Sequence, residues 1–276
     1  MNGLKNGVIL LFNFAKIQAA CCLFPLAVFA TLAITRGLTF PNIPRYDLIF
    51  VILLVFQVLM VKLKFETLEE LKIICLFHIL GLILEIFKVN ISHSWTYPEP
   101  AYLKIWNVPF YSGFMYASVG SYVVQSWKKL QLNVEYWPPL GLSFGLSTVL
   151  YLNFFTNYFF HDLRYFIILA IGLIFWRTQF TFCINGRKRY KMKALFSFAL
   201  IGFFIYIAEN IASFFNAYRY PNQAETWHLV GFGKMSSWFL LVIVSIVLVV
   251  NLKLKQSSRE NKLIKRQDKT CLFLFK

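Results

Sequence analysis

Acidic side chains are scarce in this chain, with 12 aspartates and glutamates against 28 lysines and arginines in 276 residues. Charged residues of both signs make up only 14% of it, about half the share of a soluble domain. Histidine occurs four times. Only His78 falls inside an apolar run; His93, His161 and His228 lie outside such runs, so no histidine pair is placed to hold a membrane-embedded haem. Five cysteines occur without a CxxC spacing, which leaves neither a disulfide framework nor a zinc-finger pattern. His161, Asp162 and His228 are the one combination with metal-ligand chemistry, and no metal or other cofactor is assigned. Phosphate loops, GxSxG and HExxH are missing too, and with them the standard soluble-enzyme chemistries.

What the chain has in excess is apolar surface. Hydrophobic residues make up 58% and aromatics 19%. Apolar runs of helix length recur throughout, which predicts an all-α, polytopic integral membrane protein. Eight transmembrane helices are expected at Ala19–Thr35, Leu48–Val61, Ile73–Phe87, Val108–Ser126, Pro139–Phe159, Tyr165–Phe182, Ala194–Phe215 and Ser237–Leu252. Pro109 and Pro139 suit helix first turns, where a missing N–H costs nothing. The first segment lacks a small-x-small cleavage site and reads as an uncleaved span.

A formal charge of +16 would suit a nucleic-acid partner if it formed one patch. It does not. The N-terminus, three alternate loops and the tail hold 20 of the lysines and arginines, the intervening loops hold 7, and Arg177 lies within a span. That asymmetry is the positive-inside pattern of a multi-pass cell-membrane protein with both termini cytoplasmic, and no nucleic-acid partner is expected. Residues 1–252 form one transmembrane domain in this reading. Residues 253–276 form a basic, disordered cytoplasmic tail held near anionic lipid.

Two glutamates interrupt the apolar segments. Tyr97-Pro98 follows Glu85 by 12 residues, and Tyr220-Pro221 follows Glu209 by 11. With eight spans the two host helices run in the same direction. The recurrence therefore suggests two parallel four-helix repeats, approximately 1–135 and 136–252. At ~1.5 Å per residue each carboxylate lies about 20–24 Å along its helix, in the outer third of the bilayer. There it must be paired, wetted or protonated. Helical spacing aligns polar neighbours with them: His78, Lys88 and Ser92 with Glu85; Tyr206, Ser213 and Asn216 with Glu209. Asn153, Asn157 and His161 make a stripe on the fifth span. Such stripes either hydrogen-bond between helices or line an outward-facing polar cavity. The candidate catalytic groups are Glu85 and Glu209. The candidate binding groups are Trp95, Tyr97, Lys88, Asn153, Asn157, His161, Asn210, Ser213, His228 and Lys234.

The block SWTYPEPAYLKIWNVPFYSGFMYASVGSY (Ser94–Tyr122), with AEN at Ala208–Asn210 and WHLVGFGKMSSW at Trp227–Trp238, resembles a bacterial multi-pass family. That family is known as domain of unknown function 817, the YoaT-like proteins. The likeness spans most of residues 5–250 and implies a fold without a substrate. A weaker likeness is to the carotenoid cyclase and hydratase membrane families, whose intramembrane carboxylates are thought to protonate isoprenoid double bonds. Phe110 and Tyr111 stand here where the cyclases carry acidic residues. Three functions stay open: a lipid- or isoprenoid-modifying enzyme, with Glu85 and Glu209 as acid and base and Trp95 and Tyr97 shielding a carbocation; a small-solute or proton-coupled transporter; or a structural membrane protein. The bilayer is the expected partner in all three.

Overall fold

The computed structural model describes residues 2–38, 41–184, 186 and 188–274, with side chains described between residues 5 and 257. Among these residues the chain is mostly helical: α1 (Asn2–Cys21), α2 (Leu23–Thr35), α3 (Arg45–Lys62), α4 (Leu68–Asn90), α5 (Ser112–Lys129), α6 (Leu140–Thr156), α7 (Arg164–Phe175), α8 (Ala194–Phe214) and α9 (Lys234–Leu274). By length and composition α4, α8 and the Lys234–Ser257 part of α9 can each cross a membrane. So can α1 and α2 if they count as one broken span. Each of the eight expected spans overlaps a helix, the first of them lying across α1 and α2, but α3, α5, α6 and α7 are not among the helices long and apolar enough to cross by that measure.

Three expectations are corrected. The helix expected from Val108 starts only at Ser112, because Lys104–Ile105 (β1) and Val108–Pro109 (β2) form a tight antiparallel hairpin before it. Pro109 therefore sits in a short strand and not in a helix first turn, and Pro139 is the non-helical N-cap of α6, one residue before its first turn. The helix expected to run to Phe182 stops at Phe175. Asn133–Glu135 (β3), Gln179–Ile184 (β4) and Lys188–Lys193 (β5) form a three-stranded antiparallel sheet, with Phe182 opposite Tyr190. A short apolar run with β-branched and aromatic residues is ambiguous between helix and strand, and the pairing with β5 decides it. Finally, α9 continues without a break to Leu274, where a disordered tail was expected. Neither glycine nor proline interrupts 253–274, and its lysines, leucines and glutamine are good helix formers.

Between α1 and α2 the chain bends by 67°. Pro25 lies in the first turn of α2 and has no N–H for the carbonyl one turn back, so a continuous helix would lose that bond. At its other end, the α3–α4 turn is closed by a capping box. The Glu70 N–H donates to Thr67 Oγ1 at 3.3 Å and the Thr67 N–H donates to Glu70 Oε2 at 2.9 Å.

Helices α5 and α9 meet in the middle of the bundle. α4 and α2 flank α5; α8 and α6 flank α9. The α4–α5 contact is the most extensive, and glycines let the two helices pack tightly. A Cβ on Gly81 would collide with the ring of Tyr116, and one on Gly113 would lie 2.8 Å from the His78 imidazole. Small residues let two backbones approach in a membrane, where dispersion contacts and not water drive association. One consequence is local: Tyr116 lies across the turn of α4 that leads to Glu85.

Candidate functional site

Glu85 and Glu209 are both buried, each near the end of its helix at the side of the long loops. Glu85 accepts three hydrogen bonds. Trp95 Nε1 donates to Oε2 at 2.6 Å, Tyr97 OH donates to Oε2 at 2.8 Å and Tyr116 OH donates to Oε1 at 2.8 Å. Three donors and no acceptor form the shell an ionised carboxylate uses in full, because it only accepts. Glu209 has the same kind of shell with one member fewer. Tyr220 OH donates to Oε1 and Trp238 Nε1 to Oε2. Each such hydrogen bond contributes on the order of 1 kcal/mol net, so both shells are local ties.

The two shells interlock through their rings. Trp95 packs on Tyr220 with centroids 5.8 Å apart, Tyr97 on Tyr218 at 6.2 Å and Tyr116 on Trp238 at 6.4 Å. Tyr97, Tyr218 and Tyr220 lie in the loops between the helices. Burial, followed by the nearby glutamates, lifts their phenols well above the ordinary tyrosine range. They therefore remain donors at neutral pH. Arg45 anchors the same loops from α3: it pairs with Glu99 at 2.7 Å and donates to the carbonyls of Phe215 at 2.8 Å and Asn216 at 3.2 Å.

A cavity of about 490 Å³ opens beside Glu209. Leu84, Phe154 and Leu241 give it apolar walls; Trp95, Tyr116, Tyr220 and Trp238 give it aromatic ones. Lys88, Arg164 and Lys234 line it as well. The Lys234 ammonium lies 5.0 Å from the ring centres of both Trp95 and Tyr220. Arg164 is held by Ser236 Oγ at 2.7 Å and pairs loosely with Asp162 at 3.5 Å. Among the described residues no carboxylate lies within 4.0 Å of the Lys88 or Lys234 ammonium. Three cations thus share one cavity whose lining holds a single carboxylate, Glu209.

Of the residues singled out from sequence, Glu209, Trp95, Lys88, Asn157 and Lys234 line this cavity. Glu85 does not; with Tyr97 it stands behind Trp95 and Tyr116. Asn210 and Ser213 organise the loop instead. Asn210 Oδ1 accepts from the Val230 N–H at 2.9 Å, and Ser213 Oγ accepts from Trp227 Nε1 at 3.1 Å. Asn153 is buried on α6 with its Oδ1 unpartnered. His161 is exposed on the α6–α7 loop, and exposed His228 meets Thr226 through Nε2 at 2.9 Å. Among the described residues no three His, Cys, Asp or Glu side chains come together as a metal site. Tyr220 was marked in the sequence only by its spacing from Glu209, and Tyr116, Arg164 and Trp238 were not among the candidate site residues. A signal for two of them existed: Tyr116 follows Glu85 by 31 residues and Trp238 follows Glu209 by 29.

Comparison with known proteins agrees with the early resemblance. Residues 10–246 match the family described as a protein of unknown function, DUF817. The uncharacterized protein YoaT of Bacillus subtilis (strain 168) is 51% identical over 241 residues, covering 87% of this chain and 90% of that protein. No solved structure matches. The chain belongs to the DUF817 family.

Proposed function

We propose that this chain is a cell-membrane carrier that takes up a small oxyanion in the cavity beside Glu209. It crosses the bilayer eight times as two parallel four-helix repeats, with both termini cytoplasmic and the cavity facing outward. The observation that carries the reading is the convergence of Lys88, Arg164 and Lys234 on one cavity. Like charges gathered at low dielectric repel one another, and a bound anion removes that cost. Glu209 is the proton-exchanging group. A proton there removes the one negative charge from the lining, so anion and proton bind with mutual advantage. Glu85, fully engaged by three donors, is the fixed twin that holds Trp95 and Tyr116 as cavity walls. Acid–base chemistry on an isoprenoid is supported less well, because Lys234 already stands over the Trp95 and Tyr220 faces a carbocation would need.

The test uses the full chain in lipid nanodiscs, titrated with inorganic phosphate and with a small dicarboxylate. Intrinsic tryptophan fluorescence reads the outcome, since Trp95 and Trp238 line the cavity. Saturable change is expected, with affinity rising as pH falls and dropping about tenfold or more in Lys234→Gln. An unchanged signal with both anions, or one indifferent to Lys234→Gln, would refute the reading.

A further inference from the structure

The Glu209 cavity is layered along the helices that wall it. Its three cations stand at helix ends on the side of the long loops: Lys88 in the last turn of α4, Arg164 at the start of α7 and Lys234 at the start of α9. The apolar walls lie deeper. Leu84 is one turn before Lys88 on α4, Leu241 is about two turns after Lys234 on α9, and Phe154 is one turn before Asn157 on α6. At ~1.5 Å per residue the apolar floor lies about 5–10 Å below the charged rim. Under it a void of about 10 Å³, room for about one water at most, shares Leu84, Tyr116 and Leu241 with the cavity. The hydroxyls on that void are already spent. Tyr116 donates to Glu85 at 2.8 Å, Tyr151 to the Leu80 carbonyl at 2.8 Å and Ser245 to the Leu241 carbonyl at 3.1 Å. Around the floor α4, α5, α9 and α6 form a ring, each packed on the next. Between α4 and α6 the ring is closed by Phe87 against Phe155, with centroids 5.0 Å apart, and by the Tyr151–Leu80 bond.

We infer that the ligand of this cavity is an amphipathic organic anion, with one carboxylate or phosphate-monoester head held by Lys88, Arg164 and Lys234 and a short apolar body seated against Leu84, Phe154 and Leu241. The inference rests on the reading of the cavity as an anion site and deepens it by naming the substrate class. Size is the first support. A cavity of about 490 Å³ falls within the roughly 300–1,000 Å³ of sites for organic molecules, and inorganic phosphate would fill only a small part of it. Segregation is the second. Charge at one end and apolar wall at the other give the ligand a direction, head toward the loops and body toward the middle of the bundle. A hydrocarbon body there displaces water from apolar surface, which a small inorganic anion leaves wet. The ring of helices limits the length of that body. One that ends at the floor fits, whereas the acyl chain of a membrane lipid must run on into the bilayer.

The experiment keeps the full chain in nanodiscs of zwitterionic lipid and follows tryptophan fluorescence against acetate, butanoate, hexanoate and dodecanoate. Neutral pH and constant ionic strength are held throughout, and the signal of empty nanodiscs is subtracted. Affinity should rise about three- to fourfold per methylene from acetate to hexanoate. From hexanoate to dodecanoate it should gain nothing further. Lys88→Gln should weaken the whole series by a similar factor without changing its slope. Leu241→Asn should flatten the slope, and Leu84→Asn serves if that variant fails to fold. Hexanoate bound no more tightly than acetate by the unaltered chain overturns the amphipathic ligand and leaves the anion site standing. Affinity that climbs on through dodecanoate marks a lipid groove and overturns the inference as well. Hexan-1-ol bound as tightly as hexanoate instead removes the anion reading itself, and with it the head assigned to the three cations.

Discussion

Thr96 and Arg219 pair backbone to backbone, each N–H donating to the other's carbonyl at 2.9 Å. Thr96 stands between Trp95 and Tyr97, and Arg219 between Tyr218 and Tyr220. The two Tyr-Pro stretches therefore meet antiparallel at corresponding positions, as they would about a local two-fold axis. The rings on either side then pack crosswise, Trp95 on Tyr220 and Tyr97 on Tyr218. Each stretch sends the tyrosine of its Tyr-Pro pair to its own glutamate, Tyr97 to Glu85 and Tyr220 to Glu209.

The two glutamates should respond differently to the same change. In Glu85→Gln an amide N–H replaces an acceptor among three donors, and one donor is left facing another. A loss of about 1–3 kcal/mol is expected in thermal or denaturant unfolding of the detergent-solubilised protein. Glu209→Gln, with two donors and an open side toward the cavity, should cost less stability and should flatten the pH dependence of anion binding. Equal destabilisation by the two variants would count against the distinction.

Gly81→Ala should destabilise by about 1–3 kcal/mol, the usual cost of overpacking, because the new methyl meets the Tyr116 ring. It should also dislodge the Tyr116 hydroxyl from Glu85 and change the fluorescence of the neighbouring Trp238. Gly145→Ala on α6 has open space around the added methyl and serves as the control, neutral or slightly stabilising.

Alkaline titration tests the phenol cluster. Tyr97, Tyr218 and Tyr220 have folded values above the unfolded one. Their neutral forms thus contribute stability that is present in full below about pH 10. It is lost as pH rises from there through the folded values. Ultraviolet difference spectra should show a late phase of tyrosine ionisation that coincides with unfolding. Ionisation of all tyrosines in one early phase would contradict the buried donor network.

Orientation is open to cysteine labelling in intact cells, in a cysteine-free background. Tyr102→Cys, exposed in the loop after α4, should react with an impermeant maleimide, and Lys191→Cys, exposed on β5, should not. The reverse pattern would invert the topology drawn from the 20-to-7 charge asymmetry.

Much of the helical architecture was legible because a bilayer makes a harsh demand. Every crossing segment must be long and apolar, so Glu85 and Glu209 stand out against their surroundings. The strand at Gln179–Ile184 was not legible, since a six-residue apolar run carries no period that separates helix from strand until β3 and β5 pair with it. Tyr116 was passed over for a related reason. It lies on a different helix from Glu85, 31 residues on, and only the close approach allowed by Gly81 brings it onto that carboxylate.

The sequence by itself determined that the chain is apolar and helical, that two carboxylates sit inside it and that a Tyr-Pro pair follows each. These are properties of composition and spacing along one helix at a time. Which glutamate meets the cavity was decided only by tertiary structure. Glu85 and Glu209 have the same type, similar depth and similar followers, yet Tyr116 and Trp95 close over one while Lys88, Arg164 and Lys234 gather beside the other. That choice depends on side chains from α4, α5, α7, α8 and α9 and from the loop after α4 meeting at one place, a relation that no local spacing encodes.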